Sequence, residues 1–225
     1  MFKTWPNGLA VAFFVSIALF RGTPAFASEQ CADLSGQDRQ AAEYLNHVRS
    51  APTAYAQRNS FSSANLAPTP ALNWNPQLAA VARRKAESMA RHNYFAHTDP
   101  DGLGPNQRLV HAGYRLPKDY PLDAAANTTE SIASGAANAV EAVDQLLIDQ
   151  GVPDIEHRIH LLAADPLYRT HTEVGIGIAC NPNSTYMYYY VVLTAPPAVL
   201  PRLNHTAESP LFRSQFTPKA MYMIW

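Results

Sequence analysis

Leu72 to Gly102 reads LNWNPQLAAVARRKAESMARHNYFAHTDPDG, and its spacing predicts an amphipathic helix that runs out into a loop carrying His97. Asn75 is placed to cap the helix, and Pro76 falls in the first turn, where a missing N–H costs nothing. Leu78, Val81, Ala82, Ala86 and Met89 recur at intervals of three and four and so share one face. Arg83, Arg84, Lys85 and Glu87 are assigned mostly to the solvated side. Asp99, Pro100, Asp101 and Gly102 have the composition of a fixed turn. Such a loop can hold an imidazole still, although a lone histidine after a helix packs or caps more often than it binds.

Outward from this stretch, composition is that of an ordinary globular chain, 47% hydrophobic and 16% charged over 225 residues. That length suits one domain with extensions. Lys3, the apolar run Gly8 to Phe20 and Ala25-Phe26-Ala27 read as a secretory signal, so cleavage is expected after Ala27. An uncleaved anchor is the alternative, but Arg21 and Pro24 close a run that is short for a membrane span. Without residues 1–27 the charge moves from 17 − 18 = −1 to 15 − 18 = −3. No basic run argues for nucleic acid, and no second segment is long and apolar enough to span a membrane. In an oxidising compartment Cys31 and Cys180 are expected to pair, with two free thiols or an interchain contact as the alternatives.

Before the long helix, Arg39 to Ser50 is expected to be helical and to be limited by Pro52, with Ala41, Leu45 and Val48 on one side. After the His97 loop, Asn106 to Ala112 makes a short helix stopped by Gly113. An irregular passage, Tyr114 to Thr129, leads to Glu130 in TTESIASG. A helix over Ala136 to Gln150 carries Val140, Val143 and Leu147 and has Asp149 in its last turn, where the helix dipole disfavours an anion. Asp154 is expected to cap the next helix, DIEHRIHLLAA, which holds His157 and turns Ile155, Ile159 and Leu162 to the apolar side. EVGIGIAC and TYMYYYVVLTA alternate as two strands of a terminal hairpin. Helices ahead of a hairpin imply helix layers on an antiparallel sheet. The proline-rich last thirty residues are expected to be extended, with AMYMIW docked. There is no internal repeat, no Gly-x-Ser-x-Gly, no His-Glu-x-x-His, no phosphate loop and no Cys-x-x-Cys.

Taken in order, YLNHVRSAP, the Leu72 to His97 stretch, Glu130 in TTESIASG, HRIHLL and the two strands resemble the CAP superfamily of cysteine-rich secretory proteins, antigen-five allergens and plant pathogenesis-related proteins, in its bacterial secreted form. The resemblance covers about Gln37 to Ala195. It implies an α+β fold, a three-layer α-β-α sandwich with a mainly antiparallel central sheet. The implied organisation is a signal peptide at 1–27, an extension at 28–36, the CAP domain at 37–195 and a tail at 196–225. It also implies a cleft of two histidines and two acids able to hold zinc or another divalent ion. Carried over residue by residue, these are His97, Glu130, His157 and, by counting along the helix, Asp149. Two imidazoles with carboxylates are sensible zinc donors. The family's usual Glu-Asn is Glu130-Ser131 here, Ile155-Glu156 precedes His157 where Gly is frequent, and the cysteine-rich extra motifs are missing.

The reading that follows is a secreted or periplasmic binding module engaging a lipid, glycan or protein. The alternatives are a metal-dependent hydrolase, with zinc on His97 and His157 and Glu130 as general base, and a structural envelope role. Ser131 has no positioned base in the sequence and is not read as a nucleophile. His92, His111, His160 and His171 are given ordinary roles, His160 as a surface residue that could otherwise extend the metal site. The tyrosine run Tyr186, Tyr188, Tyr189 and Tyr190 is read as a strand with one face in the core. The sequons at Asn127, Asn183 and Asn204 matter only in a glycosylating host.

Overall fold

The computed structural model of the chain describes residues 31–152 and 154–198. The expected signal segment and the docking of AMYMIW lie outside these residues. Two N-terminal helices, α1 (Gln37–Ser50) and α2 (Pro52–Arg58), precede a two-residue strand β1 (Asn73–Trp74) and the long helix α3 (Pro76–His92). There follow α4 (Pro105–His111), β2 (Glu130–Ser134), α5 (Ala139–Ile148), α6 (Glu156–Leu161), a 3-10 turn at Tyr168–Thr170, and the strands β3 (Glu173–Cys180) and β4 (Tyr188–Ala195). Pro52 does end α1, but it also opens α2 from the first turn, a position proline tolerates.

The sheet order is β1-β3-β4-β2. β3 and β4 form the expected antiparallel hairpin, and β2 joins β4 antiparallel with Glu130 opposite Leu193. β1 runs parallel to β3, pairing Asn73 with Glu173, so the sheet is mixed with an antiparallel majority. Helices cover both faces, giving the α-β-α sandwich. Side chains alternate across a strand, and β4 shows it. Tyr190 and Val192 join the core under α1, α5 and α6, whereas Tyr189, Val191 and Leu193 join the core under α3 and α4. The tyrosine run therefore feeds both cores rather than one.

The α3 reading holds at its N-terminus: the Asn75 side chain accepts from the amides of Gln77 and Leu78 at 2.8 and 3.1 Å. Leu78, Val81, Ala82, Ala86 and Met89 are fully buried. The helix lies so close to β3 that a Cβ on Gly175 would meet Leu78 and Ala79, and one on Gly177 would meet Ala82 and Arg83. Cys31 and Cys180 are bonded, with Cα atoms 5.9 Å apart, which ties the start of the described chain to the end of β3.

Candidate functional site

The His97 loop is held from beneath by a residue assigned to solvent. Lys85 is buried, on the α3 face toward the loop, and its ammonium donates to the carbonyls of Ala96 and His97 at 2.6 and 3.1 Å and to Asp99 Oδ1 at 2.7 Å. Helical position alone cannot distinguish a solvated lysine from one whose acceptors arrive on a later loop. Arg108 of α4 completes the cage. It donates to the His97 carbonyl at 2.8 Å, to both Asp99 oxygens, and to Glu130 Oε2 at 2.7 Å. Burial by itself would raise the Asp99 carboxyl, but the hydrogen bonds from Lys85 and Arg108 hold it below the usual carboxylate range.

Glu130 opens β2 with its side chain fully enclosed, and its Oε1 lies 3.0 Å from His97 Nδ1. A carboxylate only accepts, so the proton belongs on Nδ1. Asn127 fixes the same corner: its Oδ1 accepts from the Glu130 amide, and its amide group donates to the Glu130 carbonyl. The amide nitrogen of that sequon is therefore part of the site's own framework. His97 Nε2 has no hydrogen-bond partner among the described residues, and its side chain is 37% exposed.

The second pair is built where α5 meets α6. Asp149 follows α5 in the left-handed region, φ 52°, and its carboxylate accepts from His157 Nδ1 at 2.8 Å and from the Arg158 amide at 3.2 Å. In return the Arg158 guanidinium donates to the carbonyls of Leu147 and Ile148 at the open end of α5. The dipole cost expected for Asp149 is thus offset by the Arg158 amide and the His157 ring of the next helix. Asp154 does not cap α6: Ile155 occupies that position with φ 46° and no side-chain cap. The face of α6 also differs from expectation, since Arg158, His160 and Leu161 are buried while Ile155 and Ile159 are only partly covered. A helix of six residues is oriented by its neighbours more than by its own periodicity.

His160 is therefore not a surface residue. It belongs to a buried chain running from Ser131 Oγ to His160 Nδ1 (2.8 Å), from His160 Nε2 to Thr194 Oγ1 (2.6 Å), from Thr194 Oγ1 to His171 Nδ1 (2.6 Å), and from His171 Nε2 to the Tyr120 hydroxyl (2.9 Å). Burial pushes the His160 imidazole well below its ordinary range, followed by the charges of His171, His157, Arg49 and His97. Burial also lowers His171 to about 4, helped by Arg49. Ser131 faces a neutral histidine with no acid behind it and is enclosed, which leaves it without the exposure or orientation of a nucleophile.

His97, Glu130, His157 and Asp149 thus form two carboxylate–imidazole pairs, one where the His97 loop meets the start of β2 and one where α5 meets α6. Among the described residues no group of three or more His, Cys, Asp or Glu side chains is arranged to hold a metal ion. Lys85, Asp99, Arg108 and Asn127 support the first pair and were not singled out in the sequence for that role. Arg108 in NQRLVHA and Asn127 in ANTTE are ordinary residues until the loops fold against them.

The architecture is thus a helix-sheet-helix sandwich that carries two carboxylate–imidazole pairs. Residues 42–194 match the profile of the cysteine-rich secretory protein family, CAP, and the chain belongs to that family. No curated protein matches the sequence. Among solved structures it is similar to an extracellular protein containing an SCP domain from Bacillus anthracis, at 22% identity and a TM-score of 0.45, over 72% of this chain and 40% of that one. It is also similar to an outer surface protein from Borrelia burgdorferi, at 18% identity and a TM-score of 0.47, over 74% of this chain and 96% of that one. The match thus spans 40% of the Bacillus protein's length.

Proposed function

We propose that the chain is an exported CAP binding module that engages a lipid, glycan or protein ligand around the His97–Glu130 and His157–Asp149 pairs. One observation carries the reading: both imidazoles are oriented through Nδ1 by enclosed carboxylates, while neither Nε2 has a partner among the described residues. With the proton held on Nδ1, each Nε2 presents a preset lone pair, and fixed acceptors of this kind suit recognition without rearrangement. The Cys31–Cys180 bond fits an oxidising compartment. No described helix is long and apolar enough to cross a membrane.

The same chemistry fits a divalent ion. His97 and His157 would hold it through Nε2, with Glu130 and Asp149 as the carboxylates that orient metal-binding histidines. A bound zinc would supply a positive charge for an anionic or carbonyl ligand group. The hydrolase alternative needs Glu130 free to take a proton, and both of its oxygens are engaged, one by Arg108 and one by His97.

The test is zinc titration calorimetry on the metal-free protein and on His97→Ala and His157→Ala. We expect binding that is lost in both variants, with no ester or peptide turnover by the zinc-loaded protein. Absence of binding in the intact protein would remove the metal from the proposal. Turnover abolished by Glu130→Gln would replace the binding module with a hydrolase.

A further inference from the structure

A second site lies away from the paired imidazoles, beneath the loop before β1. There a cavity of about 240 Å³ is lined by Arg49, Arg169, Thr69 and His171, with walls from Pro68, Pro70 and several alanines, and no acidic residue contributes to it. Arg49, in the last turn of α1, is 3% exposed and makes no ion pair among the described residues. Its guanidinium donates to the Leu161 carbonyl at 2.6 Å and, through Nε and Nη2, to the Pro70 carbonyl at 3.4 and 3.2 Å.

A guanidinium carries five N–H donors in a planar fork. Three of Arg49's are used, and the remaining two have no acceptor among the described residues. A buried cation without an opposite charge is costly, and proteins ordinarily supply a carboxylate. None is supplied here, and burial pulls the Arg49 group down to about 10. Arg169 stands on the rim with a single long bond, to the Ala163 carbonyl at 3.4 Å. Thr69 adds a buried hydroxyl with no hydrogen-bond partner. His171 adds no donor, since both of its nitrogens are taken by Thr194 and Tyr120. The cavity therefore offers two guanidinium groups and an unpartnered hydroxyl, backed by pyrrolidine rings and methyl groups.

We propose that this cavity binds a small oxyanion, a phosphate or carboxylate held between Arg49 and Arg169 with Thr69 Oγ1 as a third partner, and with room for a short apolar substituent against the proline and alanine walls. Two guanidinium forks match the paired oxygens of such a group. The ligand supplies the counter-charge that the fold omits. This proposal does not depend on the zinc reading, because none of the four paired residues lines the cavity.

The experiment titrates the whole protein with inorganic phosphate, with sodium butyrate and, at matched ionic strength, with sodium chloride, following calorimetric heat and thermal unfolding. Arg49 also ties two carbonyls together, so its removal can unfold the protein. The deciding variants are therefore Arg169→Gln, on the exposed rim, and Thr69→Val. We expect saturable binding of phosphate, of butyrate or of both, weakened about tenfold or more in Arg169→Gln and to a lesser degree in Thr69→Val. Phosphate alone would identify a phosphoryl ligand, and butyrate alone a carboxylate. No saturable binding of either anion, a chloride response equal to theirs, or unchanged affinity in Arg169→Gln would overturn the proposal.

Discussion

Arg108 joins the two acids of the first layer, with one nitrogen on Glu130 and another on Asp99, and so allows a carboxylate to sit fully enclosed beside His97. The buried chain from Ser131 to Tyr120 uses neutral groups instead. His160 and His171 are buried uncharged, His171 down to about 4 and His160 well below the ordinary 6.5, in both cases chiefly because burial disfavours the charged ring. Below pH 6.5 the unfolded chain takes up protons at these histidines that the folded protein refuses, so stability is fully present above that pH and falls toward pH 4. The slope reaches at most about 1.4 kcal/mol per pH unit for each histidine. Urea unfolding at stepped pH should show this loss, and His171→Asn should remove one histidine's share of it. A midpoint independent of pH across that window would contradict the neutral pair. Asp99 acts lower on the scale. Its folded carboxyl is held below the usual value, so the stability it contributes is lost only as pH falls below about 3.8.

Among elements, the closest packing is of α3 on β3. The alternation in EVGIGIAC reads as a strand, but it does not say why the small positions are glycine. The answer is the α3 backbone, which passes where the Cβ of residues 175 and 177 would be. Gly177→Ala should force the helix off the sheet, destabilising the protein by about 3 kcal/mol or more. Guanidinium unfolding measures it, and a cost near zero would mean the helix can shift freely. The α5–α6 junction shows the same dependence on context. Arg158 closes the carbonyl end of one helix while Asp149 closes the amide end of the other, so neither short helix is complete alone.

At the scale of the molecule, one covalent bond spans nearly the whole described chain. Cys31 and Cys180 are 149 residues apart, and in the chain-entropy account such a loop stabilises by about 5 kcal/mol. Ala32 adds a hydrogen bond to the Tyr188 hydroxyl next to it. A Cys31→Ser/Cys180→Ser variant, compared with the parent by thermal unfolding with and without reductant, should melt lower and lose its response to reductant. An unchanged melting temperature would show that the bond crosses a segment already held by other contacts.

Local spacing alone determined the long helix with its Asn75 cap, the β3–β4 hairpin and the short α4, because periodicity, capping and turn chemistry act between residues close in sequence; the cysteine pair, 149 residues apart, is expected from count and compartment and is closed by the fold. The family resemblance added His97, Glu130, His157 and Asp149. Strand β2 was invisible because ESIAS is short and poor in β-branched residues; it is a strand because β4 pairs with it. The parallel β1 is two residues long and exists only beside β3. The sequence assigns Lys85 and His160 to solvent and does not mark Arg49, because a polar side chain on a helical face carries no local sign of burial. Only the tertiary structure brought Asp99 to Lys85, Ser131 and Thr194 to His160, and the proline loop over Arg49. Burial of a polar group depends on partners far away in the chain, and those partners are fixed by packing.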